Sequence, residues 1–83
     1  MKSPQRTEID KRFLKSYRLL YADEHVHTKK DFCDQTGLLP QNISMMERGQ
    51  VSATVDNIYN LVTRFGVSLD WIFFGTGSFY ANS

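Results

Sequence analysis

A single cysteine, two prolines and a net charge of only +1 in 83 residues remove several classes of protein at once. Cys33 alone cannot close an internal disulfide, so no stapling for an oxidising compartment is expected. The opening MKSPQRTEID lacks the apolar stretch of a secretory leader. The longest unbroken apolar run, Trp71 to Phe74, falls far short of the roughly 20 residues that span a bilayer. A cytoplasmic protein without a membrane partner is therefore expected. His25 and His27 lie near Asp31 and Cys33, but no CxxC or HExxH spacing accompanies them, and a solvated loop is expected there rather than a metal site. No nucleophile elbow and no glycine-rich phosphate loop appears, so neither an enzyme, nor a cofactor, nor a small-molecule ligand is indicated.

What is present is a foldable core. The hydrophobic fraction is 41%, with six Phe, four Tyr and one Trp, which is enough for one modest core and argues against disorder. A chain this short is too small for the two-lobed clefts in which many enzymes work. Its small net charge hides an asymmetry. Lys2, Arg6, Lys11, Arg12, Lys15 and Arg18 crowd the first eighteen residues against Glu8 and Asp10, whereas beyond position 50 Arg64 faces Asp56 and Asp70. Charge on the contacting face, not the total, decides whether nucleic acid is bound.

The patterning predicts five short helices and no strand, an all-α domain. Thr7-x-x-Asp10 has the layout of a capping box and opens the first helix, which runs to about Tyr21 with Phe13, Tyr17 and Leu20 as its buried stripe. The polar segment 22–27 reads as a loop. Thr28-x-x-Asp31 opens a second helix from Lys29 to about Thr36, burying Phe32 and Cys33, and Gly37 suits the left-handed residue that ends it. Pro40 fits the first position of a third helix, where its missing N–H has no partner to lose, and Leu38 with Ile43 has the spacing of a hydrophobic staple. Thr54 caps a fourth helix whose Ile58, Leu61, Val62 and Phe65 follow i, i+3, i+4, i+7, ending at Gly66. Ser68 caps a fifth, with Asp70 in its first turn, closed by Gly75 to Gly77.

The third helix has a face without a structural purpose. Ile43 and Met46 point inward, while Gln41, Ser44, Met45 and Arg48 occupy i, i+3, i+4 and i+7 on the opposite side. Two helices of about eight residues joined by a short glycine-containing turn describe a helix-turn-helix.

From Lys29 to Arg48 the chain resembles the lambda-repressor-like (Cro/C1-type, XRE) DNA-binding domain: Cys33 where the second and third helices meet, Gly37 at the turn, Ile43 and Met46 inward, then Glu47-Arg48-Gly49. The likeness continues through FGVSLDWIFFGTG and covers roughly Ile9 to Gly77. Leu39 stands where that family usually has a Ser or Thr cap, the proline common before the fourth helix is absent, and the first loop is longer. The resemblance implies a helix-turn-helix domain over 9–77, flanked by an N-terminal arm (1–8) and a C-terminal tail (78–83). It also implies that the third helix, about Pro40 to Arg48, enters the major groove of a double-stranded DNA operator. Pro40 then sits at the groove entrance, Gln41 reads a base, Met45 meets a thymine methyl, and Ser44 bonds a base or phosphate. Thr28, Lys29, Arg48 and Gln50 match positions that hold the sugar-phosphate backbone. Arg18 is the expected partner of Glu47.

Aromatic residues are dense near the C-terminus. Ile72 and Trp71 are expected to seat the fifth helix, and Trp71, Phe74, Phe79 and Tyr80 form the expected dimer interface, in keeping with the family's habit of dimerising. The function implied is a sequence-specific transcriptional regulator, a repressor acting as a homodimer. The alternatives are a restriction-system controller or an antitoxin that binds DNA, and an adaptor that keeps the fold but binds protein.

Overall fold

Ser3 and Pro4 start the first helix. The computed structural model describes residues 3–81, and within it α1 runs Pro4–Ala22, three residues earlier than the Thr7 signature predicts. The Ser3 side chain accepts a hydrogen bond from the Arg6 amide at 3.2 Å, and Pro4 takes a first-turn position where no N–H is required. Much of the expected arm is thus helix. The two residues of the supposed Thr7 cap do other work: Thr7 donates its hydroxyl to the Ser3 carbonyl, and Asp10 is buried.

The remaining elements are α2 (Lys29–Thr36), α3 (Pro40–Glu47), α4 (Val55–Phe65) and α5 (Leu69–Phe74). Among the described residues there is no strand, only an isolated antiparallel bridge between Val67 and Tyr80. The architecture is therefore all-α, with five helices. Phe13 and Leu20 of α1, Phe32 and Cys33 of α2, Ile43 and Met46 of α3, Ile58 and Leu61 of α4, and Ile72 of α5 meet in one core. Phe13 and Phe32 pack edge to face, with ring centres 5.5 Å apart. Tyr17 lies over Phe32 and is half-buried, at the margin of the stripe that Phe13 and Leu20 complete. The polar loop after α1 is anchored by buried Val26. Its entry puts Glu24 at φ 63°, a left-handed conformation uncommon outside glycine, with the His25 amide bonding back to the Leu20 carbonyl.

Helix ends are closed from a distance as well as locally. The Thr36 carbonyl at the end of α2 has no partner within its own helix, and accepts from Asn57 Nδ2 at 3.0 Å and Asn60 Nδ2 at 3.1 Å. Asn57 also completes a reciprocal capping box with Thr54 at the start of α4. Gly37 follows at φ 78°, and a β-carbon there would lie 3.4 Å from the Asn60 amide nitrogen. Arg12 of α1 donates to the Ile72 and Phe73 carbonyls, which ties the end of α5 to α1.

The segment after residue 77 packs back onto the domain instead of trailing from it. Ser68 donates its amide to the Phe79 carbonyl and Ala81 to the Gly66 carbonyl, each at 2.8 Å. Trp71 and Phe79, and Phe79 and Tyr80, pack edge to face with ring centres 4.7 Å apart. The Tyr80 hydroxyl donates to Asp23 at 2.6 Å.

Candidate nucleic-acid interface

The geometry of α3 follows from its two faces. Leu39 supplies no side-chain cap, so the helix is held instead by Pro40 in its first turn and by Leu38 and Ile43, both buried in the core. Met46 is buried beside them. With that face committed, Gln41 and Ser44 are exposed, Met45 is half-buried, and Pro40 is exposed at the helix entrance. Among the described residues neither the Gln41 nor the Ser44 side chain is engaged in a hydrogen bond. Arg48 sits at the C-cap, exposed, with Nε and Nη2 donating to Gln50 Oε1 at 3.4 and 3.3 Å. The loop that follows is folded onto α3 by the Gln50 amide, which donates to the Met45 carbonyl at 2.8 Å.

At the start of α2, Thr28 is the N-cap and its hydroxyl oxygen accepts from the Asp31 amide at 3.0 Å. Lys29, the first helical residue, is exposed, while its neighbour Lys30 is drawn to Asp34 at 3.1 Å. An exposed lysine at the positive end of a helix dipole is suited to a phosphate oxygen.

Arg18, Lys29 and Glu47 line one cleft between α1, α2 and α3. The ion pairs among the described residues are Lys11–Glu8 and Lys30–Asp34, so the expected Arg18–Glu47 pair is not formed. Leu14 and Tyr17 line the same cleft.

The four aromatic residues of the expected dimer surface divide. Trp71, Phe79 and Tyr80 are partly buried against the core and one another, whereas Phe74 is 71% exposed. A second apolar surface, not foreseen from the sequence, lies where Val55 and Tyr59 of α4 meet Leu69 and Phe73 of α5. Its signal was the i, i+4 pair Val55 and Tyr59, which sits outside the stripe that identifies α4. Cys33 is buried, and burial pushes its thiol above the usual range, away from the thiolate that metal binding or catalysis requires. His25 packs edge-on against Tyr80. Among the described residues no group of three His, Cys, Asp or Glu converges as metal ligands would.

A helix-turn-helix family model matches residues 24–72, more than half the chain, and spans α2, the Gly37 turn, α3, α4 and most of α5. The chain belongs to the lambda-repressor-like (XRE) helix-turn-helix family. No curated protein and no solved structure matches it. This helix-turn-helix protein is a DNA-binding regulator of the XRE type, its partner is double-stranded DNA, and its family is not a family of enzymes. Among the described residues no helix is long and apolar enough to cross a membrane.

Proposed function

We propose that this XRE-type protein is a sequence-specific repressor that binds its operator as a homodimer, each protomer laying α3 in the major groove. The observation that carries the reading is the outer face of α3, where Gln41 and Ser44 are exposed and unengaged while the inner face is locked into the core. The major groove presents a distinct donor and acceptor pattern for each base pair. A glutamine amide matches adenine N6 and N7 in two parallel bonds, Met45 offers an apolar contact to a thymine methyl, and Ser44 bonds a base edge or a phosphate. Lys29 with Thr28 on one side of α3, and Arg48 with Gln50 on the other, hold the two phosphate walls of the groove. Occupying a promoter in this way excludes polymerase, which is the simplest route to repression for a domain of this size.

Phe74 is the proposed centre of the dimer contact, with the partly buried Trp71, Phe79 and Tyr80 as its proposed further members. Selection from random duplex DNA, followed by mobility shifts at low and moderate salt, tests the reading. A recovered two-fold motif bound far more tightly than scrambled duplex is expected. An adaptor that binds only protein would yield no motif and no shifted band.

A further inference from the structure

Ala53 lies in the loop between α3 and α4, 1% exposed, in a segment where no helix supplies partners for its peptide groups. A buried amide and carbonyl left unpaired are costly, so such groups find partners elsewhere. Here both partners come from one helix. Asp10 Oδ1 accepts the Ala53 amide at 2.9 Å, and Arg6 Nη2 donates to the Ala53 carbonyl at 2.8 Å. Arg6 and Asp10 are four residues apart on α1, and so project from the same face of a rigid rod and take the two sides of a single residue. Both bonds involve an ionised side chain, which makes them stronger and more directional than neutral ones. Asp10 is itself only 3% exposed, an expensive position for a carboxylate unless it is hydrogen-bonded.

The loop is thereby fixed at both ends. At its start the Gly49 and Gln50 amides bond back to the Met46 and Met45 carbonyls, and at its end Ala53 is gripped by α1. Between these anchors stand Val51 and Ser52, which follow Arg48 and Gln50 in the chain.

We propose that Asp10, with Arg6 as its companion, is a positioning residue for DNA binding: by gripping Ala53 it presets the α3–α4 loop, with Arg48 and Gln50, in the shape that holds phosphate. The inference rests on the groove-docking reading above and adds a residue that touches no DNA. A loop ordered before binding loses no conformational freedom when DNA arrives.

A pair of variants of equal charge separates this role from simple electrostatics. Removing a carboxylate from a DNA-binding protein should, on charge alone, tighten binding in Asp10→Ala and Asp10→Asn alike. The clamp requires them to diverge. Asn retains an oxygen that can accept the Ala53 amide, so Asp10→Asn should bind at least as tightly as the parent. Asp10→Ala should bind about tenfold more weakly to selected operator and scrambled duplex alike, with the slope of log K against log salt reduced by about one unit per protomer as the Arg48 contact is lost.

Amide hydrogen exchange on the unbound proteins supplies the second readout. The Ala53 amide should be protected in the parent and in Asp10→Asn, and should exchange quickly in Asp10→Ala while α2 and α4 keep their protection. Should Asp10→Ala fail to fold, Asp10→Ser carries the same comparison. An unprotected Ala53 amide in the parent overturns the clamp without any variant. If the parent binds operator but the Ala and Asn variants bind it equally, the inference fails and the DNA reading stands. If the parent binds no duplex, both fail.

Discussion

Gln41 and Lys29 are both exposed polar residues near the ends of short helices, yet their proposed tasks leave different traces. Gln41→Ala should cost roughly 1 to 3 kcal/mol on the selected operator and relax preference at one base position, with little change on scrambled duplex. Lys29→Ala should weaken both duplexes and lower the salt slope by about one unit per site, because one fewer counterion is released. Titrations of both variants across a salt series check this, and an unchanged base preference in Gln41→Ala would remove it from the groove. Tyr80 carries a residue-level prediction of another kind. Its phenol is pushed up to about 12, chiefly by burial and then by its hydrogen bond to Asp23 and the charge of that carboxylate. A folded-state value above the unfolded one means the neutral phenol stabilises the fold. That contribution is complete below about pH 10 and is lost as pH rises towards 12. Tyr80→Phe should therefore be less stable than the parent at pH 8, and the gap between their unfolding midpoints should close above pH 10.

At the level of elements, the helix-turn-helix is aimed by α4 as much as by its own turn. Asn57 and Asn60 share the Thr36 carbonyl, and Asn57 closes the capping box of α4, so one asparagine ties the end of α2 to the start of α4. Asn57→Ala removes both links from a buried site and should destabilise the domain by about 1 to 3 kcal/mol in denaturant titration. Glu24 offers the opposite sign. Held at φ 63° in the turn after α1, it should be improved by glycine, and Glu24→Gly should raise the unfolding midpoint, with a gain of up to about 1 kcal/mol. The contrast between these positions also marks what was legible in the sequence. The five helices, the Gly37 turn and the inward pair Ile43 and Met46 follow from periodicity and local capping chemistry, which are written within a few residues of where they act. The start of α1 was missed because Ser3-Pro4 and Thr7-x-x-Asp10 are both acceptable caps, and only the burial of Asp10 against Ala53, 43 residues away, decides between them. The Arg18–Glu47 pair that the family resemblance implies is not formed, and whether two residues lining one cleft bring their charged ends within reach is a tertiary property. The return of Phe79 and Tyr80 to the Val67 backbone is likewise non-local: two aromatic residues after a glycine pair read equally well as a sticky tail or as a lid on Trp71.

For the whole molecule, the proposed homodimer requires two copies of a small body to address one duplex. A two-fold dimer of the kind proposed must present both α3 helices to one side of the duplex, which calls for a separation of one turn of B-form DNA, about 34 Å. Half-sites should therefore be centred one turn apart on the same side of the duplex. Inserting five base pairs between them should abolish cooperative binding by rotating one site to the far side, and inserting a full turn should restore the facing while stretching the contact. The dimer surface can be tested on the same DNA. Phe74 is exposed, and its ring contact among the described residues is with its neighbour Phe73, ring centres 6.5 Å apart, so Phe74→Ser should leave the circular-dichroism spectrum and half-site affinity unchanged. The same variant should weaken full-operator binding at least tenfold by loosening the pair. Tyr59→Ser, on the neighbouring α4–α5 surface, is the informative companion. Sedimentation of both variants at matched concentration discriminates the two faces, because loss of the dimer in Tyr59→Ser with its retention in Phe74→Ser would place the contact on Val55, Tyr59, Leu69 and Phe73.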